Sequence, residues 1–138
     1  MIPPIHFRPV AVDSPNHDAK RATTAGVVIH STRGGQVPGM ELAATIAWFL
    51  RPSSNASSHA LLGRTGAVWT FLPAALTAWH ARELNQTHLS IEFEQGQPSD
   101  PFTEEQYCAG AYLVRDWARH SGFSINRQTI VGHDETAP

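Results

Sequence analysis

The chain has 138 residues, of which 41% are hydrophobic and 16% are charged, and its formal net charge is -2 with the histidines neutral. This length predicts one domain with one hydrophobic core, and the composition is that of an ordinary globular protein. No basic run suggests nucleic acid or an anionic membrane surface as a partner, and the single cysteine, Cys108, excludes an intramolecular disulfide and a cysteine-rich zinc cluster.

The amino terminus contains no basic segment followed by an apolar stretch, which a secretory signal needs. No segment approaches the roughly 18 apolar residues of a membrane helix. We therefore expect synthesis in the cytoplasm without a signal peptide, and no membrane partner. Residues 1–25 are rich in proline and polar groups, so they predict an extended arm packed on a domain formed by residues 26–138.

Strands and helices alternate along the rest of the chain. A β-branched run over residues 26–31 predicts a buried strand that ends in His30. The other predicted elements, in chain order, are a helix over 40–50, a hairpin of strands over 58–62 and 67–72, a strand over 88–94, a helix over 103–122 and a strand over 129–132. This order predicts an α/β protein with a mixed central β-sheet flanked by α-helices.

Two of the predicted strands end in a histidine, His30 and His133. A histidine at the end of a buried strand serves either as a hydrogen-bonded structural residue or as a ligand that projects beyond the sheet. The strand over 88–94 alternates apolar and polar residues, which places Glu92 and Glu94 on its polar face. Catalytic zinc takes nitrogen and oxygen ligands and leaves one position for water, so two histidines and a strand glutamate together suggest a hydrolase.

Six separated motifs from residue 26 to the last residue resemble those of the zinc-dependent N-acetylmuramoyl-L-alanine amidases, which include phage lysozyme-type amidases and peptidoglycan recognition proteins. The motifs are VVIHST, SSHALLGRTGAVWTFLP, AWHA, NQTHLSIEFEQ, FTEEQY and IVGHDETAP. The resemblance implies a peptidoglycan recognition protein-like fold. It also implies hydrolysis of the amide bond between N-acetylmuramic acid and L-alanine in peptidoglycan.

Carried over by motif, the resemblance implies that His30 and His133 are zinc ligands and that Glu92 is the general acid/base. Phage-type members have a tyrosine just before the histidine of the first hairpin strand, where this chain has Ser58. The chain therefore resembles the branch that uses the glutamate. The family's third zinc ligand, an aspartate or cysteine, and a lysine beside it would fall beyond Pro138.

That comparison leaves two interpretations of the metal site. In the first, residues 26–138 are an amidase domain that is truncated at its C-terminus and lacks its third ligand. In the second, the chain holds the metal differently, with a replacement among the remaining acidic residues and histidines. The candidates are Asp134, Glu135, His59, His80 and His88.

Three further residues match family positions near the substrate. Trp79 and His80 could pack against sugar or peptide, and His80 is equally suited to a structural role. Asn85 could contact substrate, although shaping the loop before the catalytic strand is the role we favour. We expect His59 to hydrogen-bond a neighbouring strand.

The expected function is zinc-dependent lysis of the cell wall in the manner of an endolysin, by a monomer whose partner is peptidoglycan or a muropeptide. Two alternatives stay open. One is a module that binds peptidoglycan without cutting it, and the other is a cytosolic amidase that recycles soluble muropeptides. If the chain is a lysin, it acts on the cell wall.

Overall fold

A computed structural model describes residues 9–34 and 40–136. Its strands, in chain order, are β1 (Val10–Ala11), β2 (His17–Lys20), β3 (Gly26–Ser31), β4 (Ala60–Leu62), β5 (Val68–Thr70), β6 (Leu76–Ala78), β7 (His88–Phe93) and β8 (Ile130–Gly132). Its α-helices are α1 (Glu41–Leu50) and α2 (Glu104–Ser121), and short 3-10 helices follow at Pro52–Ser54, Arg82–Gln86 and His133–Glu135. No helix in this part of the chain is long and apolar enough to cross a membrane.

Six of the strands form one mixed sheet in the order β1-β5-β4-β7-β3-β8. Strand β3 lies between β7 and the edge strand β8 and is parallel to both, whereas β4 and β5 form an antiparallel pair. Strands β2 and β6 form a separate antiparallel pair. The predicted α/β class with a mixed sheet is confirmed.

Helix α2 covers one face of this sheet and builds the larger part of the core. Leu89, Ile91 and Phe93 alternate along β7 and pack with the buried side of α2, including Leu113 and Trp117. The helix begins with a capping box, in which the Thr103 hydroxyl accepts from the backbone N–H of Gln106. It ends at Gly122, whose positive φ of 82° is a conformation that glycine adopts without steric cost.

Helix α1 lies on the opposite face. Its buried Phe49 packs with Leu61 and Phe71, and the partly buried Leu42 and Ile46 lie against the same cluster. Because side chains alternate along a strand, the residues of β7 between the apolar ones point to this second face. These are Ser90 and Glu92, so the α1 side of the sheet carries polar groups where the α2 side carries hydrocarbon.

The structure adds strands that the sequence does not predict. Residues 1–8 lie outside the described residues, but β1 extends the edge of the main sheet beside β5, and β2 pairs with β6. All residues of β1 and β2 are exposed, so neither strand shows the apolar pattern of a buried one. Such short edge strands form because a partner strand offers hydrogen bonds, which local sequence does not reveal.

Candidate active site

His30 and His133 are brought together by the pairing of two parallel strands. In the β3–β8 register Ile29 lies opposite Gly132. His30 is the next residue of β3, and His133 directly follows β8 as the first residue of a 3-10 helix. Their rings lie with centroids 4.5 Å apart. The close approach needs a glycine at position 26, because a Cβ there would meet the carbonyl oxygen of Thr129 at 2.0 Å. Two imidazoles that are far apart in the sequence thus meet at the carboxyl ends of two neighbouring strands.

Glu92 occupies the position on β7 that pairs with His30 on β3. Its half-buried side chain lines a cavity of about 450 Å³ together with His30, His80 and residues of α1. Among the described residues, Glu92 has no hydrogen-bond or ion-pair partner. Burial raises the pKa of its carboxyl to about 8, because removal from water disfavours the charged form. An unpaired carboxyl facing a cavity is suited to proton transfer.

His80 follows β6 and lies beside His30. Its Nδ1 is 3.1 Å from Nε2 of His30, and its Nε2 is 3.0 Å from the backbone oxygen of His88. Both ring nitrogens of His80 therefore have a protein partner. The packing of His80 against sugar or peptide stays a prediction.

Burial keeps these two rings neutral at neutral pH. Burial, with smaller contributions from neighbouring histidines, lowers the pKa of His30 to about 3 and that of His80 to about 4. A neutral imidazole has one N–H and one lone pair, and the lone pair is what a metal ion or a hydrogen-bond donor can use.

Trp79 and His80 lie between two cavities. Both residues line the cavity that holds Glu92 and also a second one of about 610 Å³, which His133, Arg82 and Asn85 line as well. Asn85 uses its side-chain oxygen to accept hydrogen bonds from the backbone N–H groups of His80 (2.9 Å) and Ala81 (2.7 Å). Its carbonyl end thereby stabilises the loop that holds His80.

The cavity that contains Glu92 is also lined by two residues that the sequence did not predict, Trp48 and Ser57. Trp48 on α1 lines it and is 47% exposed, although a large apolar side chain is usually covered. Ser57 lines it too, and its hydroxyl accepts from the backbone N–H of Trp79. Trp48 lies outside the apolar pattern of α1, and that place in the sequence was the signal for its exposure.

The described residues contain no third metal ligand beside His30 and His133. Within residues 9–34 and 40–136, no three His, Cys, Asp or Glu side chains are close enough together to hold a metal ion. Glu135 forms an ion pair with Arg127, whose Nη2 donates to both carboxylate oxygens within 2.9 Å. The His88 Nδ1 lies 2.8 Å from the Thr87 hydroxyl.

His59 is a buried structural residue, as predicted. Its Nδ1 accepts from the backbone N–H of Ser90 at 3.2 Å, and its Nε2 donates to the backbone oxygen of Leu76 at 2.8 Å. The Arg21 guanidinium lies against the same ring and donates to the carbonyl oxygens of Ala74 and Leu76. These contacts link the N-terminal segment, the loop before β6 and strand β7 behind the site.

Comparison with known proteins identifies the family. The sequence profile described as N-acetylmuramoyl-L-alanine amidase matches residues 20–138. The chain belongs to the N-acetylmuramoyl-L-alanine amidase family. N-acetylmuramoyl-L-alanine amidase A of Achromobacter lyticus is 28% identical over 88 residues, which are 63% of this chain and 46% of that protein. This amidase-family chain thus spans about half the length of the curated relative it matches.

Solved structures share the fold. A selenomethionine derivative of AmpD superposes with a TM-score of 0.77 at 21% identity, covering 94% of this chain and 83% of that chain. A mutant endolysin from Bacillus subtilis gives 0.74 at 17% identity, covering 94% and 86%. Drosophila peptidoglycan recognition protein SD gives 0.70 at 18% identity, covering 92% and 79%. The peptidoglycan recognition protein-like fold expected from the motifs is confirmed.

Proposed function

We propose that this chain is a zinc-dependent amidase that hydrolyses the bond between N-acetylmuramic acid and L-alanine in peptidoglycan. Family membership supports the reaction class. The observation that carries the proposal is the meeting of His30 and His133, with ring centroids 4.5 Å apart, next to a cavity that contains the unpaired carboxyl of Glu92. Two imidazoles that could hold a metal ion, beside a carboxyl that could accept a proton, support metal-assisted amide hydrolysis.

The donor chemistry of the pair fits zinc. Imidazole nitrogens are preferred zinc ligands, and the two rings lie at the ends of the adjacent parallel strands β3 and β8. A catalytic site commonly has three protein ligands, and the third is not among the residues that the structure describes. We therefore assign His30 and His133 as two of the ligands.

The chain's own residues define the proton path. When bound, zinc supplies a Lewis acid that polarises the amide carbonyl and makes water nucleophilic near neutral pH. In our proposal the charged form of Glu92 takes a proton from the attacking water, and the protonated carboxyl returns it to the L-alanine nitrogen as the carbon–nitrogen bond breaks. The products are the lactyl carboxylate on the sugar and a peptide with a free amino terminus.

Metal content tests the ligand assignment. We expect the purified chain to take up zinc at equilibrium with zinc buffer, and the single variants H30A and H133A to take up much less, as measured by equilibrium dialysis and elemental analysis. His120 lies on the exposed surface of α2, so H120A is the matched control and should keep its zinc. Equal zinc in H30A and the parent chain would contradict the assignment.

Release of peptide tests the reaction. We expect purified peptidoglycan treated with the zinc-loaded chain to release stem peptides that begin with L-alanine, and a chelator to stop the release. If the chain sediments with peptidoglycan but releases no peptide, it is a binding module and the proposed activity is wrong.

We propose further that the physiological substrate is the intact cell wall, as for an endolysin. The cavity that contains Glu92 is open to solvent and is lined by the exposed Trp48, which supports access by a polymer. The comparison of rates on intact sacculi and on soluble muropeptides decides this point. Faster cleavage of soluble fragments would instead support the muropeptide-recycling alternative.

A further inference from the structure

The hydrogen bonds of His80 determine where its protons lie. The backbone oxygen of His88, 3.0 Å from His80 Nε2, can only accept, so this nitrogen carries the hydrogen. Above the ordinary imidazole pKa of about 6.5 the ring is neutral and has a single N–H. Nδ1 of His80 therefore carries a lone pair and accepts.

The same reasoning extends to His30. Its Nε2 lies 3.1 Å from the accepting Nδ1 of His80, so Nε2 of His30 donates. The lone pair of a neutral His30 ring is then on Nδ1. The chain of bonds runs from His30 through His80 to the backbone oxygen of His88, and it leaves one nitrogen of His30 available for a ligand.

The protein holds His80 rigidly enough for this role. Asn85 Oδ1 accepts from the backbone N–H of His80 at 2.9 Å. The acceptor oxygen belongs to His88, the first residue of β7, which pairs with Gly26 at the start of β3. The His30 ring is thus anchored to its own sheet through His80.

We propose that His80 is a positioning residue that fixes the tautomer and the orientation of His30, so that His30 presents Nδ1 to the zinc ion. The role of His80 toward the ion rests on the proposed function, whereas the hydrogen bond between the two rings does not. A metal-binding histidine commonly has its other ring nitrogen held by an acceptor, and loss of that acceptor costs about 10- to 100-fold in metal affinity or activity.

Nuclear magnetic resonance of the metal-free protein tests the hydrogen bond. At about pH 8, above the ordinary imidazole pKa, ¹⁵N-histidine labelling should show His30 protonated at Nε2 and His80 protonated at Nε2. We expect a scalar coupling between His30 Nε2 and His80 Nδ1, and an imidazole proton of His30 that exchanges slowly with water. A proton on His80 Nδ1, or no coupling and fast exchange, would overturn the proposal.

Zinc affinity, measured by competition with a chelator, tests the consequence with a matched pair of variants. Asparagine at position 80 keeps an amide near the Nδ1 position, where its oxygen can accept from His30. Glutamine extends to the Nε2 position and reaches toward His88 instead. We expect H80A and H80Q to bind zinc about 10- to 100-fold more weakly and H80N to recover part of the loss.

The outcomes separate the two proposals. If the coupling is present but neither the parent chain nor H80N binds zinc, the proposed function fails and the His30 tautomer stands. If zinc binds to the parent chain and H80N is no better than H80A while H80Q equals the parent, the positioning of His30 by His80 is wrong. A thermal unfolding curve of each variant verifies that the fold is kept.

Discussion

The two faces of the central sheet are built from the same strands but differ in chemistry along β7. On the α2 side, the β7 residues Leu89, Ile91 and Phe93 are buried in one continuous apolar core. On the α1 side, the residue between the last two of these is Glu92, and it faces a cavity. The β7 sequence sets this difference, and α1, with 10 residues against 18 in α2, covers less of its face. The incompletely covered face is where a substrate can reach strand residues.

The largest effect that we predict is a loss of amidase turnover on substitution of Glu92, on the α1 face. E92Q should lower amidase turnover by about 10²- to 10⁴-fold, because an amide cannot accept the proton from water. Burial raises the pKa of this carboxyl to about 8, so the charged form opposes folding, and that opposition grows as pH rises from 4.5 through 8. E92Q should therefore unfold at the same or a higher temperature.

The control for this prediction is E94Q. Glu94 accepts the backbone N–H of Arg64 and does not line either of the two cavities at the site. Its replacement by glutamine keeps an accepting oxygen and should leave turnover within a few-fold of the parent. Equal turnover in E92Q and the parent would remove Glu92 from the mechanism.

The next prediction concerns the adjacent residue on the other face. Ile91 is fully buried in the α2 core, and I91A should cost about 2–5 kcal/mol of unfolding free energy because it removes buried methyl groups and leaves a cavity. Urea denaturation measures the loss. At a temperature where I91A stays folded, its turnover should remain near that of the parent; a loss as large as that of E92Q would show that the two faces are not functionally separate.

The pH dependence of stability gives a smaller effect. Burial lowers the pKa of His59 to about 3, whereas the unfolded chain has the ordinary value of 6.5. Below pH 6.5 the unfolded state binds a proton that the folded state does not, so the unfolding free energy falls as pH falls toward 3. The slope from one such group is about 1.4 kcal/mol per pH unit.

The variant H59Q tests that assignment, since glutamine can still donate to Leu76 but does not titrate. Urea denaturation between about pH 4 and pH 5.5, where the unfolded histidine is protonated and the folded one is not, should give a slope about 1.4 kcal/mol per pH unit shallower than that of the parent. Identical slopes would mean that His59 does not remain neutral in the fold.

The smallest expected effect concerns the N-terminal cap of α2. T103A removes the hydroxyl that caps α2 and should lower the unfolding free energy by about 1 kcal/mol. Zinc content should not change, because the cap lies on the α2 side. Loss of zinc in this variant would indicate that α2 also positions the metal-binding histidines.

Much of this organisation is present in the local sequence. The alternation in β7 predicts which side chains enter the core, and the capping box and Gly122 predict the ends of α2. The motifs around His30, Glu92 and His133 identify the family, which the match over residues 20–138 confirms. The roles of these residues stay predictions, since they depend on metal and substrate.

The sequence by itself determined the periodicity of the strands and helices, the candidate ligands at strand ends and the carboxyl between them, because these depend on residues that are neighbours in the chain. Only the tertiary structure decided that β3 and β8 are adjacent, that His80 bonds to His30, and that α1 leaves Glu92 facing a cavity. Contacts of this kind depend on the register between distant segments. That register minimises the free energy of the whole sheet and is not encoded in any one of its strands.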